Sequence, residues 1–414
     1  MKNAETKYFE LAVVGGGASG VFAALMAANT AKRSKKRVHI RIFESSNRIL
    51  KKILVTGNGR CNLSNKDISA SNYFGALDLF TAVYSQFDRK AALAFFDSLG
   101  LATTTDAAGR IYPLSMKAAS VADILLRGIE KFEIEVVTDT PVTSLQKKKQ
   151  GYLLNEIFYA DKVILAAGGK IGPSGKQSPS VYDILRACGV ACTSLQPALT
   201  SFVVPEFTKS LKGIRAAGCL ALASDRSEIA RTSGEIQYAE YGISGIPAMQ
   251  LSSHAARAQG KRLFVIADSL PDMREAEFVL RVEYIKKTDP EMPVQLFLAG
   301  MLPKPLGVYF LKEAGCSPEL RLNELTDALT AKLLDNCKRK RYSVKGVRGF
   351  ENAQVTSGGI AGSEITDRLE LKKMPGVFVC GELIDVDGDC GGYNLQWAWS
   401  SGAVAGINSI MEMH

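Results

Sequence analysis

Histidine, paired cysteines and long apolar runs are all scarce in this sequence. Of the three histidines, His39 lies within an apolar run and His414 is the last residue, so only His254 remains as a candidate for histidine catalysis. The eight cysteines include no Cys-x-x-Cys pair, which disfavours a metal site and a disulfide framework. No apolar run approaches the roughly 18 to 20 residues of a membrane span. We therefore expect no metal, no signal peptide, no membrane span and a cytoplasmic location.

Positive charge is what the chain has in excess. Its 51 lysines and arginines outnumber 42 acidic residues, which gives a net charge of +9 at pH 7. Much of the excess lies in three runs, at residues 32–37, 147–149 and 338–341. Such runs can bind nucleic acid, but aromatic residues for stacking on single strands are scarce among them. We expect solvated faces and no nucleic-acid partner, with RNA binding kept as the alternative.

The stretch from Phe9 to Glu44 has the order strand, glycine turn, helix, strand, acid. An apolar run ends at Val14, the turn Gly15-Gly-Gly-Ala-Ser-Gly20 follows, and a second apolar run leads into Glu44. In this arrangement the tight turn and the helix N-terminus bind a pyrophosphate, and the acid accepts hydrogen bonds from the adenosine ribose. The pattern predicts a dinucleotide site.

Two later segments resemble the first strand and glycine turn. Asp161–Gly169 and Gly376–Asp385 both indicate a buried strand that ends in a glycine turn. Residues 75–100 and 118–131 have helical spacing of apolar residues. We predict an α/β fold built from both chain ends with an inserted unit: residues 1–195 and 356–414 for the first domain, 196–270 and 342–355 for a β-rich insertion, and 271–341 for a helical subdomain.

Three strings carry a resemblance to a known family. They are Thr56–Asn65 (TGNGRCNLSN), Val355–Gly359 (VTSGG), and Gly381–Gly388 followed by Gly391–Trp397 (GGYNLQW). Together with the N-terminal turn they resemble the BaiN/YhiN-type NAD(P)/FAD-dependent oxidoreductases, within the glutathione-reductase and fumarate-reductase class of FAD proteins. Some members of that family are labelled aminoacetone oxidase.

The resemblance implies a Rossmann-like FAD-binding domain with the inserted unit covering the flavin. It places Arg60, Cys61 and Asn62 near the flavin as the catalytic candidates. The implied cofactor-binding residues follow the cofactor from the pyrophosphate through the adenosine ribose, the covering loop, the adenine side and the ribityl chain to the ring edge. They are Gly15, Gly17, Ala18, Ser19, Gly20, Glu44, Ser45, Thr56, Gly57, Asn58, Gly59, Arg60, Val142, Ala167, Gly168, Gly169, Gly381, Glu382, Asp387, Gly392, Tyr393, Asn394, Leu395 and Gln396.

The resemblance also implies hydride transfer between flavin N5 and a small organic substrate. Only one complete dinucleotide fingerprint is present, because Gly168–Gly172 does not fit GxGxxG. NAD(P)H is therefore expected only as a transient donor. The chain departs from the family at Pro173–Tyr182, where a glycine-rich, acid-bearing loop is usual. A tRNA-modifying or RNA-binding flavoprotein and a flavin protein without turnover remain as alternatives.

Arg60 and Cys61 present a choice between roles. The guanidinium of Arg60 can hold an oxygen through two hydrogen bonds and stays charged at any working pH. Cys61 could be a reactive thiol beside an arginine, or a small packing residue. We expect Arg60 to matter more.

Overall fold

The computed structural model describes residues 7–171, 180–205, 209–225, 227–258, 260–411 and 413. The chain divides into two compact units, one of Met1–Gln196 with Val355–His414 and one of Pro197–Gln354. Positions 173–179 of the divergent loop lie outside the described residues, so the expectation about that loop stays open. Strands and helices are numbered along the chain.

The first unit contains the elements expected of an α/β fold. Its helices are α1 (Ala18–Arg33), α2 (Leu77–Gln86), α3 (Arg89–Ser98), α4 (Ala118–Lys131), α5 (Val181–Ala187) and α11 (Tyr393–Met411). Its strands are β1 (Lys7–Val14), β2 (Ile40–Phe43), β3 (Ser64–Asn65), β4 (Tyr73–Gly75), β5 (Thr103–Thr105), β6 (Arg110–Pro113), β7 (Glu135–Val137), β8 (Leu145–Lys147), β9 (Tyr152–Leu154), β10 (Phe158–Leu165), β19 (Val355–Ser357), β20 (Val377–Val379) and β21 (Val386–Gly388).

The main sheet of this unit is built around β1. It has the order β7-β2-β1-β10-β9-β8, and β20 pairs with the last residues of β10. The pairings of β1, β2, β7, β10 and β20 are parallel, whereas β9 runs antiparallel to β10. The first and last parts of the chain thus share one sheet, and its parallel strand ends gather the predicted glycine turns at one edge.

Close contact between α1 and α11 ties the two chain ends together. A Cβ on Gly402 would lie 2.6 Å from the carbonyl oxygen of Ser19, and one on Gly406 would lie 2.2 Å from that of Ala23. Larger residues at these two positions would push the helices apart. The small residues of α11 therefore allow the backbone approach that fixes the C-terminal helix beside the dinucleotide turn.

Residues 75–100, where the sequence shows helical spacing, form two helices. The first ends at Gln86, and Asp88 begins the second by accepting a hydrogen bond from the N–H of Ala91 at 2.9 Å. Aspartate is a favoured helix N-cap because its carboxylate accepts from a backbone N–H of the first turn. The apolar spacing continued through the break and concealed it.

The second unit has its own sheet and its own apolar core. The chain enters it through β11 (Gln196–Ala198), and the sheet has the order β17-β16-β13-β14-β15-β12-β18. Its strands are β12 (Phe202–Val203), β13 (Arg215–Ser224), β14 (Glu228–Ala239), β15 (Gly242–Ser244), β16 (Leu263–Asp268), β17 (Lys340–Val344) and β18 (Gly346–Val347). Its helices are α6 (Ile246–Arg257), α7 (Glu275–Thr288), α8 (Val294–Ala299), α9 (Lys304–Glu313) and α10 (Asp327–Arg339).

Candidate functional site

The turn between β1 and α1 combines a tight corner with an open face. Gly15 has a φ of +112°, and a Cβ there would lie 2.3 Å from the carbonyl oxygen of Ala166. A Cβ on Gly20 would lie 2.0 Å from the carbonyl oxygen of Gly15. At Gly17, by contrast, no described atom lies within 4 Å of an added Cβ. The glycines thus allow the corner and the helix contact, and they leave room for a ligand at Gly17.

The N-terminus of α1 faces this turn. The helix begins at Ala18, and the N–H of Val21 donates to the carbonyl of Gly17 at 3.0 Å. The N–H groups of Ala18, Ser19 and Gly20 precede that first helical bond, so they point beyond the helix end. The first turn carries no acidic residue. These groups can bind an anion such as a pyrophosphate.

Glu44 lies at the end of β2 and holds the glycine turn. Its Oε2 accepts a hydrogen bond from the N–H of Gly16, and its Oε1 accepts one from the N–H of Ser46, both at 2.8 Å. Ser45 Oγ also donates to Glu44 at 3.2 Å. The segment that contains the buried Val142 runs beside Glu44, because the N–H of Thr140 donates to the Glu44 carbonyl. The carboxylate is therefore fixed next to the turn, as a ribose ligand must be.

The end of β10 meets the C-terminal part of the chain. A Cβ on Gly169 would lie 2.3 Å from Thr356 Oγ1 and 2.6 Å from Glu382 Oε1. Glu382 accepts from the N–H of Thr356 at 2.7 Å and forms an ion pair with Lys52 at 2.8 Å. Gly169 and Glu382, two of the implied cofactor-binding residues, are thus brought together. Lys52 is a neighbour that the sequence interpretation did not name, and Thr356 belongs to the string Val355–Gly359 quoted above.

Gly381 joins this group from the other side. It has a φ of +72°, and a Cβ there would lie 2.3 Å from Ser19 Oγ in the first turn of α1. Its N–H donates to Ser401 Oγ at 2.9 Å, and its carbonyl accepts from the indole of Trp397 at 3.0 Å. The turn after β20 is therefore fixed against α11 and the pyrophosphate turn.

The loop Thr56–Asn62 has an unusual backbone. Gly57, Asn58, Gly59 and Cys61 all have positive φ, between 55° and 76°. Thr56 Oγ1 donates to the carbonyl of Ile53 at 2.7 Å and steadies the entry to the loop. Glycine adopts this left-handed conformation freely, but for Asn58 and Cys61 it is costly unless the surroundings impose it, and such residues are concentrated at binding sites.

Arg60 lies on the exposed face of this loop. Its guanidinium carbon is 5.1 Å from the ring centroid of Tyr112, and its Nε donates to the carbonyl of Gly57 at 3.3 Å. The side chain is exposed, so most of its donors are available to a ligand. A catalytic or flavin-binding role for Arg60 stays a prediction.

Cys61 points into the protein. It is fully buried in the apolar core of the first unit. Burial raises the pKa of its thiol to about 12, which outweighs the opposing hydrogen bond with Thr56. A neutral, enclosed thiol is a poor nucleophile. The packing role is therefore favoured over the catalytic role that the sequence left open.

Asn62 carries an unpaired polar atom. Its side-chain oxygen is buried and has no hydrogen-bond partner among the described residues. A Cβ on Gly392, just before α11, would lie 2.7 Å from this oxygen and 2.3 Å from the carbonyl oxygen of Ser64. Buried acceptors are rarely left unpaired in native proteins. The oxygen of Asn62 is therefore a candidate to accept a hydrogen bond from a ligand.

The first turn of α11 is held from within. Asn394 is tied to both the N–H and the carbonyl of Gly388, at 2.9 and 2.7 Å. The Tyr393 carbonyl accepts from Tyr73 at 2.9 Å. Gln396 is fully buried, accepts from Ser64 at 2.7 Å and donates to Ser400 at 2.9 Å. The amide of Gln396 thus supports the helix from inside, and the ring-edge contact of Tyr393–Gln396 stays a prediction.

Asp389 is a candidate site residue that the sequence interpretation did not name. It follows β21, where the predicted ribityl ligand Asp387 is itself buried. Burial raises the pKa of Asp389 to about 6; a hydrogen bond with Asn72 opposes this, and the charge of Asp387 adds to it. Its neighbours Cys390 and Tyr393 are uncharged, and their pKa values are raised by burial. Only the two flanking glycines, Gly388 and Gly391, signalled a turn here.

These features fit FAD. The open face at Gly17 and the N–H groups at the start of α1 suit a pyrophosphate, and the Glu44 carboxylate, held beside this turn, is a candidate ligand for the adenosine ribose. The unpaired oxygen of Asn62 lies beside the glycine turn of α11, where a further polar part of the cofactor can bind.

Comparison with known proteins identifies the family. A model described as the HI0933-like protein Rossmann domain matches residues 9–408. The chain belongs to this HI0933-like family, which confirms the resemblance to the BaiN/YhiN type. It is an FAD-dependent oxidoreductase with the predicted Rossmann-type α/β fold.

Two curated relatives cover nearly the whole chain. A 3-dehydro-bile acid delta(4,6)-reductase of Clostridium scindens is 38% identical over 96% of this chain and 98% of its own. A ribosomal RNA dihydrouridine synthase of Escherichia coli is 26% identical over 95% of this chain and 96% of its own.

Two solved structures share the fold. The 3-ketosteroid delta1-dehydrogenase of Sterolibacterium denitrificans has a TM-score of 0.51 at 12% identity and covers 99% of this chain and 100% of its own. The quinol fumarate reductase FrdA of Escherichia coli has a TM-score of 0.50 at 13% identity, over 98% of this chain and 70% of its own. Among the described residues, no helix is long and apolar enough to span a membrane.

Proposed function

We propose that this flavoprotein reduces a carbon–carbon double bond conjugated to a carbonyl group in a small, largely apolar ring compound of the bile acid or steroid class. The observation that carries the proposal is the full-length similarity, at 38% identity, to a reductase whose name specifies such a substrate. The fit of the first unit to FAD supports it.

The residues of the chain bind and orient, and the bound flavin supplies hydride chemistry at N5. The N–H groups at the start of α1 hold the pyrophosphate, and Glu44 holds the ribose. Arg60 offers a charged, exposed donor group from the loop beside them. The Asn62 oxygen accepts a hydrogen bond from the ligand that fills the site.

We propose NADH or NADPH as the electron donor, bound only transiently. The sequence contains one complete dinucleotide fingerprint, and the FAD site accounts for it. A nicotinamide nucleotide would therefore bind and leave during each cycle, with a dissociation constant far larger than that of FAD.

A second candidate is reduction of uridine in RNA. The full-length similarity to a ribosomal RNA dihydrouridine synthase favours it, as do the exposed lysines at 147–149. Both relatives' names describe hydrogenation of a double bond next to a carbonyl, so the two candidates share one chemistry and differ in the size and charge of the substrate.

The basic run 338–341 weakens the RNA candidate. Lys338 pairs with Asp268 at 2.9 Å, and Arg339 pairs with Asp335 and Glu275. The two remaining cations also have partners: Lys340 pairs with Glu313, and Arg341 stacks on Phe264 at 3.5 Å from the ring centroid. These charges are engaged within the protein, whereas an RNA site needs cations free for phosphate.

The experiment compares two substrates for one enzyme. Purified protein saturated with FAD is incubated anaerobically with NADH or NADPH and either a bile acid ketone bearing conjugated double bonds or a uridine-containing ribosomal RNA fragment. We expect the ketone to gain two hydrogens by mass spectrometry, while its saturated analogue is left unchanged. Hydrogen gain by the RNA alone would replace the first candidate with the second.

A further inference from the structure

Three helices of the first unit end around one cavity. Helix α1 ends at Arg33, α3 at Ser98 and α4 at Lys131. The cavity has a volume of about 430 Å³, and residues from all three helix ends line it. Helix α1 is 16 residues long, which is about 24 Å at 1.5 Å per residue. The cavity therefore lies a full helix length from the pyrophosphate turn at the other end of α1, and all of it belongs to one unit.

The floor of the cavity is apolar and fixed. Phe95, Leu99 and Phe132 line it, and each packs against the core of the first unit. The ring of Phe95 meets that of Phe22 edge to face, with 5.2 Å between the centroids. A Cβ on Gly128 of α4 would lie 3.7 Å from Leu99 Cδ1, so α4 packs closely on the end of α3. The floor thus offers an apolar body a surface that is already formed.

The rim of the cavity is cationic. Lys32, Arg33 and Lys131 line it, are exposed, and have no hydrogen-bond or ion-pair partner for their side chains among the described residues. None of the described residues that line the cavity is acidic. Glu130, the acid next to Lys131, pairs with Arg127 at 3.1 Å. The three cations are therefore available to a ligand, unlike those of the run 338–341.

Helix ends alone account for only part of this charge. A helix C-terminus carries roughly half a negative charge, which a nearby cation offsets. The three cations that line the cavity exceed the combined partial charge of three such ends. Asp97 and Glu133, the other acids near these ends, are exposed and do not line the cavity. The rim therefore favours an anion.

We propose that this cavity binds an amphipathic anion, an apolar body that carries a single carboxylate or sulfonate. The body packs on Phe95, Leu99 and Phe132, and the anionic group is held by Arg33, through two hydrogen bonds, and by Lys131. The volume falls in the range of small-ligand sites, about 300 to 1,000 Å³. Fatty acids and bile acids share this chemistry. The site lies apart from the flavin and does not depend on the proposed reaction.

Calorimetric titration of the FAD-saturated protein, without an electron donor, measures the binding. The probes are laurate and a saturated bile acid carboxylate, each compared with its uncharged methyl ester. We expect at least one carboxylate to bind and its methyl ester to bind at least about tenfold more weakly. The affinity for the carboxylate should fall as salt is added, because the rim charges are exposed and are screened.

Two variants test the charge and the space separately. Arg33→Ala combined with Lys131→Ala removes two rim cations, and we expect the affinity for the carboxylate to fall about tenfold. Ser98→Trp places an indole at the exposed edge of the cavity without a change of charge, and we expect one binding site per protein to be lost. Lys90→Ala combined with Arg127→Ala is the matched control, since it removes two exposed cations of α3 and α4 that do not line the cavity.

Amide hydrogen exchange locates the bound anion. Exchange should slow near residues 97–101 and 131–134 when the carboxylate is present, and it should not slow there in Ser98→Trp.

Binding of laurate alone would identify a linear anion as the ligand, and binding of the bile acid alone would identify a ring compound. Either result supports the site. Equal affinity for acid and ester, unchanged binding in both cavity variants, or an equal loss in the control variant would contradict it. The proposed reaction is measured by turnover, so it can stand or fall separately.

If neither carboxylate binds, the three cations serve the helix ends and the proposal is wrong.

Discussion

The two units of this chain bring polar side chains together in different ways. In the first unit the candidate site residues lie in short strings, such as Gly15–Gly20 and Thr56–Asn62. In the inserted unit, separate strands and turns bring Ser201, Tyr241, Ser244 and Arg348 into contact. A cofactor that is bound through backbone groups requires neighbouring residues of special conformation. A side-chain constellation requires only that strands pair.

The largest effect is expected where the first unit depends on a single glycine. Gly15→Val would place a side chain against the carbonyl of Ala166 at a positive φ, so we expect a loss of about 3 kcal/mol or more in the free energy of unfolding, together with loss of FAD. Urea unfolding and flavin content measure both. Gly17→Ala, which meets open space, should keep stability and lose FAD affinity. A stable Gly15→Val protein that retains FAD would show that the first unit does not depend on this local glycine motif.

Glu44 should have an intermediate effect. Glu44→Ala removes the acceptor of the Gly16 and Ser46 N–H groups, which is also the proposed ribose ligand, and we expect FAD binding to weaken by about 1 to 3 kcal/mol. Fluorescence titration of the apoprotein with FAD measures this, and Glu130→Ala on the exposed side of α4 is the control. Unchanged affinity in Glu44→Ala would show that the ribose is held elsewhere.

Substitutions at two adjacent loop residues, Arg60 and Cys61, should have different effects. Arg60→Ala removes an exposed cation, so we expect a severe loss of turnover or of bound FAD. Cys61→Ser should leave flavin reduction within about tenfold of the wild type, or about 1.4 kcal/mol of barrier, because the thiol is buried and neutral. Stopped-flow reduction of both variants at equal FAD loading tests the pair. Complete loss of reduction in FAD-loaded Cys61→Ser would instead indicate a thiol-dependent mechanism.

The sequence predicted the first unit better than the second for physical reasons. Gly15 and Glu44 stand at fixed spacing because one strand, one turn and one helix separate them. The break at Asp88 was missed because the apolar spacing runs through it. The contact of Ser201 and Tyr241 with Arg348 was not predicted because β12 and β18 are each two residues long and carry no pattern of their own. Their partners are set by the fold of the whole sheet.

A modest effect on stability, dependent on pH, is expected at Asp389. Its pKa in the native protein, about 6, lies above the unfolded value near 4, so the native state binds the proton more tightly. The free energy of unfolding therefore falls as pH rises through this window. Asp389→Asn should flatten that slope and raise stability at pH 7 by about 1 to 2 kcal/mol, after allowance for solvent screening. Urea unfolding across this pH range measures the slope, with Asp123→Asn as the control. If Asp389 titrates normally, Asp389→Asn will show the same slope of unfolding free energy against pH as the wild type.

One measurement tests the central claim most directly. The FAD-loaded protein is reduced anaerobically, freed of excess donor, and mixed in a single turnover with equal concentrations of the conjugated bile acid ketone and the ribosomal RNA fragment. We predict that the flavin is reoxidised by the ketone, with one saturated product formed per flavin and no change in the RNA. Reoxidation that requires the RNA, or a flavin that stays reduced with both, would contradict it.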